Sequence, residues 1–254
     1  MRSGDTYIWR VTLTLACFSI AASAQQSASP AQHDSVSVSA GITKDQLQIE
    51  KQVQAILDQA AAAKAQHDDS AALLEYRKAL QMIRAEKRLA EWEDRVLEKV
   101  ARAAMDAHQP EAAMRAYTEL IQLRKNDCSP EAEWPEQCAE PQQQLGLAHM
   151  YSGDFQAALP ILRASIANYG WAASRKQLEE FRMIQLTHQA ETETLLATAL
   201  FRTGQRNEAL GTLDTAIGQL NQVQLDQNIQ AGVRDSARSH MQAAQHIQDL
   251  IRSN

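Results

Sequence analysis

The sequence predicts an all-α protein built from antiparallel helix pairs, and three observations carry that expectation. Apolar residues recur at three- and four-residue steps through most of the chain; Phe155, Ala158, Leu159, Leu162 and Ile166 are one such face. The composition suits closely packed helices, with only 9 Gly, 6 Pro and 5% aromatic residues among 254. Short corners punctuate the periodic stretches, the clearest being Ser152-Gly153-Asp154, where glycine supplies the left-handed conformation that other residues reach at a cost. Before that corner, Leu145, Ala148 and His149 share a side, and Gly146 lets a neighbouring helix come close.

Residues 1–24 read as a secretory signal. Arg2 and Arg10 give a basic start, Val11 to Ile20 is largely apolar, and Ala22-Ser23-Ala24 is a small-residue cleavage site. The apolar run is about half the ~20 residues that span a bilayer. Lipid attachment at Cys17 is disfavoured, because Thr14 stands where a leucine is expected and Cys17 lies within the run. The mature chain is thus expected to be soluble, without a membrane span, and exported to the bacterial periplasm or beyond. Removing residues 1–24 leaves Cys128 and Cys138, and an even pair in an exported protein reads as a disulfide.

Residues 25–42 are Ser-, Ala- and Gln-rich and read as a flexible linker. A helical domain over 43–254 follows, with Thr43 as N-cap. Leu47, Ile49, Val53, Ile56 and Leu57 form the first face, and His67-Asp-Asp-Ser70 turns the chain into Ala72, Leu73, Tyr76, Ala79 and Leu80. The next pair spans Leu89 to Ala107 and, beyond His108-Gln-Pro110, Ala113, Tyr117 and Leu120. Residues 125–141 carry three prolines and both cysteines, and predict a break in helix. Asn168-Tyr-Gly-Trp171 predicts a loop, followed by a long helix from about Ser174 to Thr203. Gly204 turns it into Asn207 to Ile217, and a more polar last helix is expected from about Leu225 to Ile251.

Two stretches within 142–168 and 191–221, with their glycine corners and Ala/Leu faces, resemble the tetratricopeptide repeat (TPR), a helix-turn-helix unit that stacks into a solenoid. Weaker matches around 60–80 and 101–121 have His67 and His108 at the corner. The alanines opening each second helix, Ala72, Ala113, Ala158 and Ala209, lie 41, 45 and 51 residues apart, against a usual period of about 34. The resemblance implies about four helix pairs and a C-terminal capping helix. It also implies that ligands lie along a concave surface lined by each pair's first helix. The matching positions are Glu98, Arg102, Met105, Gln143, Leu147, Met150, Tyr151, Thr198, Phe201 and Arg202.

The chemistry excludes more than it assigns. The net charge of −6 with interspersed signs lacks the basic stripe of a nucleic-acid surface. No nucleophile elbow, zincin, P-loop or dinucleotide fingerprint occurs, so neither enzyme activity nor a cofactor is expected. His67 and His108 read as turn residues rather than metal ligands. His188 and Glu191 read as a solvated face. The expectation is a scaffold that binds a protein or peptide segment through mixed Met, Phe and Arg contacts, with Trp134 in the cysteine loop as a further contact. Two alternatives stand beside it: a small-ligand or cell-wall-glycan binding protein using Trp134, Tyr169 and Trp171, and a self-associating structural protein.

Overall fold

A computed structural model of the chain describes residues 44–253 apart from 87–88, 130 and 176–177. The expected signal, the linker and the Thr43 cap lie outside the described residues. Among these residues the chain forms nine α-helices and no strand: α1 (Lys44–Ala65), α2 (Asp69–Ala85), α3 (Ala90–Asp106), α4 (Pro110–Leu123), α5 (Glu136–Tyr151), α6 (Phe155–Arg175), α7 (Glu179–Arg202), α8 (Arg206–Leu225) and α9 (Ala231–Ser253). They make four pairs and a final helix.

The four corners share one backbone design. The first helix of each pair ends on a left-handed residue: His67 (φ 59°), His108 (φ 55°), Gly153 (φ 85°) and Gly204 (φ 84°). The next amide reaches back to the carbonyl five residues earlier: Asp68 to Ala63, Gln109 to Ala104, Asp154 to His149 and Gln205 to Leu200. This closure satisfies carbonyls that the helix end leaves unpaired. Asp68 and Asp154 then cap the following helices through Ala71 N (2.9 Å) and Ala157 N (3.1 Å), and Pro110 takes the first-turn position of α4. Ala72, Ala113, Ala158 and Ala209 are each the fourth residue of their helix, and all are fully buried. The unequal spacing read from the sequence is absorbed in helix lengths and inter-pair loops, so the packing register is kept.

Each helix packs on its neighbours in sequence, and α7 also packs on α5 and α9; no two second helices pack comparably. Helices α5, α7 and α9 thus approach one another on one side of the stack. The core follows the stack, from a cluster over α1–α5 to one over α5–α9, with partly buried Met105 packed against both. Gly146 sits where α6 presses on α5, facing Leu162.

Three boundaries differ from the sequence expectation. Residues 168–171 are helical, because α6 runs on to Arg175; Asn168 and Tyr169 are buried and bonded to α5. Pro141 lies inside α5, whose first turn begins at Glu136. The segment after Asp226, rather than Leu225, leads into the last helix, since α8 continues to Leu225. Cys128 and Cys138 are joined by a disulfide with Cα atoms 5.3 Å apart. Arg175 Nη1 donates to the Ala132 carbonyl, tying that loop to the end of α6.

Candidate functional site

A polar belt starts on α3. Asp94, Glu98 and Arg102 repeat every fourth residue and so form one stripe. Arg124, at the end of α4, donates from Nε to Asp94 Oδ1 (2.8 Å) and from Nη2 to Asp94 Oδ2 (2.6 Å) and Glu98 Oε2 (2.8 Å). Burial would lower its guanidinium, but the hydrogen bonds and charges of Asp94 and Glu98 outweigh that and raise it. Its Nη1 donates to the Gln137 carbonyl at 3.1 Å. That carbonyl is the one Pro141, four residues on, cannot serve, having no N–H.

Arg102 bridges the same belt across helices, bonding Glu98 Oε1 at 2.8 Å and Glu140 of α5. Burial again works against the charged guanidinium, and Glu140 and Glu98 hold it raised. Tyr117 of α4 lines the crevice beneath, together with Glu98, Arg102, Glu140, Pro141 and Gln144. It is 1% exposed. Its hydroxyl has no hydrogen-bond partner, and the crevice leaves no space for a water molecule. Burial pushes the phenol upward, so it stays a neutral O–H.

Further along, α5, α6 and α7 meet in a second polar cluster. The Tyr169 hydroxyl donates to Gln143 Oε1 at 3.1 Å, and its ring stacks on His188 with centroids 5.6 Å apart. His188 Nδ1 lies 3.7 Å from Glu191 Oε2. Burial would raise Glu191, yet the hydrogen bond from His188, the charges of His240 and His188 and a bond from Gln143 lower it. Burial would lower His188, and Glu191 raises it. The reading of His188 and Glu191 as a solvated face is therefore corrected: Glu191 is buried and the two form an ion pair, because α7 is enclosed by α5, α6, α8 and α9.

The ten inner-helix positions taken from the resemblance divide into two groups. Gln143, Leu147, Met150 and Thr198 are buried. Their side chains are enclosed by the neighbouring helices. Glu98, Arg102 and Met105 are half-buried, Tyr151 is 41% exposed and Arg202 is exposed. Phe201 packs against the second core cluster, and the Arg202 guanidinium sits 4.5 Å from the Phe155 ring centroid. The structure brings Met105 and Tyr151 together with His108 and Pro110 around a cavity of about 160 Å³. Trp134 is 46% exposed in the disulfide loop, outside that cavity. Glu140, Tyr117 and His188 were not among the candidate site residues drawn from the sequence. The four-residue stripe Glu136, Glu140, Gln144 on α5, parallel to Asp94, Glu98, Arg102 on α3, was the available signal.

Among the described residues no group of three or more His, Cys, Asp or Glu side chains is arranged to hold a metal ion, and no helix is long and apolar enough to cross a membrane. The class of architecture is plain: an all-α, TPR-like solenoid. The chain is similar to the crystal structure of nearly identical TPR-like repeats from a Podosopora anserina kinesin light chain, with TM-score 0.56 and 16% identity over 80% of this chain and 93% of that one. It is also similar to the crystal structure of MamA protein, with TM-score 0.47 and 17% identity over 79% of this chain and 93% of that chain. No family model and no curated protein sequence matches.

Proposed function

We propose that this protein is an exported interaction module that holds a partner protein segment along the inner side of its first helices. The observation that carries the reading is the surface running from the Glu98, Arg102 and Glu140 belt to the Met105 and Tyr151 cavity. It combines charged groups with soft apolar and aromatic ones on rigid helices, which suits an extended peptide. Export is supported by the basic-apolar-small pattern of residues 1–24 and by the Cys128–Cys138 disulfide, a bond that persists in oxidising compartments. The glycan alternative loses a stacking surface, since Tyr169 is buried with its hydroxyl committed to Gln143.

The test is crosslinking of the purified chain in the exported-protein fraction of its own cell, read by mass spectrometry. The variant Tyr151→Ala, Arg202→Ala is run in parallel, with helicity checked by circular dichroism. A partner whose capture drops about tenfold or more, in a variant that keeps its helicity, supports the inner surface as the binding site. Undiminished capture by that variant removes it.

A further inference from the structure

We propose that Glu193 is a pH-sensitive latch between α7 and α8: as a neutral acid it pairs with Gln219, and loss of its proton loosens the two helices.

Glu193 is 5% exposed, on the part of α7 that meets α8. Its Oε1 accepts from Gln189 Nε2 at 3.0 Å and from Gln219 Nε2 of α8 at 3.4 Å. Both donors are neutral amides, and Oε2 has no hydrogen-bond partner. A buried carboxylate so placed lacks the cation that would offset its desolvation. Glu191, two residues earlier, has one in His188, and the charge of His240 on α9 also acts on it. Burial raises Glu193 against the bonds from its two amides. At Glu191 burial is outweighed by the histidines, which lower it.

Among the described residues, the arginines of α7 and of the helices packed on it are engaged elsewhere. On α6 and α8, Arg163 pairs with Glu208, Arg175 donates to the Ala132 carbonyl and Arg206 to the Arg252 carbonyl. On α9, Arg234 donates to the Ile229 carbonyl, Arg238 pairs with Asp235, and Arg252 lies 4.0 Å from Asp214. On α7 itself, Arg182 pairs with Glu179 and Arg202 sits over the Phe155 ring. From α5, Glu140 acts on His188. From α6, Gly170 stands beside Gln189 and brings no charge. The side chains acting on Glu193 are its two amides.

One proton on Oε2 supplies what this cluster lacks. Gln219 Oε1 is also buried without a partner. The two groups thus share one amide-to-carboxyl bond and leave two acceptors, Glu193 Oε2 and Gln219 Oε1, unmet. An O–H on Oε2 lets acid and amide pair through both atoms of each group, with no buried charge. Its loss restores two acceptors and a charge to the interface, which favours α8 parting from α7 so that water reaches them. Glu193 is raised, so its contribution is full below its unfolded value near about 4.3 and is lost as pH rises through the folded value.

The test is the pH–Tm profile of Glu193→Gln beside the parent, on the purified chain. Glutamine carries the donor permanently, so the variant should melt with the parent below about pH 4 and a few degrees above it at about pH 8. The His188–Glu191 pair is common to both proteins and cancels from the difference. In a Gln219→Met background the gain should shrink, because the second acceptor is gone. Hydrogen exchange, corrected for its intrinsic pH dependence, should show α7 and α8 losing protection with rising pH in the parent and keeping it in the variant, while α1 to α4 behave alike in both. A variant that melts no higher than the parent at the higher pH overturns the latch. So does a gain as large at the lower pH, an equal gain in the Gln219→Met background, or the same exchange of α7 and α8 in parent and variant.

Discussion

Replacing Gly146 by alanine tests how closely α5 and α6 approach. A Cβ on Gly146 would lie 2.5 Å from Leu162 Cδ2 and 2.7 Å from Leu162 Cγ, well inside the carbon–carbon contact distance of about 3.5–4.0 Å. Leu162 is fully buried in the second core cluster. Because Cγ is struck as well as a methyl, a methyl rotation does not relieve the overlap. Overpacking of this kind costs about 1–3 kcal/mol. The gain in helix propensity from Gly to Ala offsets about 0.8–1 kcal/mol. The net expectation is a destabilisation of about 0–2 kcal/mol, or a Tm up to roughly 8 °C lower in a domain of this size. Gly211 in α8 is the control, since a Cβ there meets nothing within 4 Å. Gly211→Ala keeps only the propensity gain and should raise Tm by roughly 2–4 °C. Thermal melts followed by circular dichroism read both. A Gly146→Ala protein that melts as far above the parent as Gly211→Ala does would refute the close approach. So would a Leu162→Ala substitution that costs as much in the Gly146→Ala background as in the parent, since residues in contact must couple.

The disulfide and the buried ion pair give two further tests. Cys128 and Cys138 are 10 residues apart, and on the chain-entropy model closing that loop stabilises by about 2.7 kcal/mol. Replacing both by serine should therefore lower Tm by roughly 5–10 °C, and reductant should reproduce the shift in the parent and leave the variant unmoved. An unchanged Tm would mean that the loop is already ordered without the bond. For the His188–Glu191 pair the signs oppose. His188 is raised, so its contribution is full below its unfolded value near about 6.5 and is lost as pH rises through the folded value. Glu191 is lowered, so its contribution is present above its unfolded value near about 4.3 and is lost as pH falls through the folded value. Stability should be greatest between those limits. His188→Gln should flatten the loss on the alkaline side; a pH–Tm profile with the same alkaline slope in parent and variant would count against the pair.

What the sequence reveals and what it hides divide along a physical line. The corners are local: a left-handed residue, a back-reaching amide and a small residue at the fourth position lie within about ten residues of one another, and all four were legible, histidine corners included. Where the expectation failed, the deciding partner was remote. Pro141 reads as a breaker until Arg124, 17 positions earlier, supplies the donor that the Gln137 carbonyl lacks. Asn168 and Tyr169 read as loop until Gln142 and Gln143 satisfy them, 26 residues away in each case. Helix α7 hides its role most completely, because it packs against four helices and so buries polar residues on several sides, Gln185, Thr187, Glu191, Thr192 and Glu193 among them. Hydrophobic periodicity assumes one wet face and one dry face, and α7 has almost no wet face. In α3 and α5 the polar residues instead fall in four-residue repeats, Asp94, Glu98 and Arg102 on one and Glu136, Glu140 and Gln144 on the other. Glu98, Arg102, Glu140 and Gln144 border the crevice lined by Tyr117 because the two repeats come from neighbouring parts of the stack.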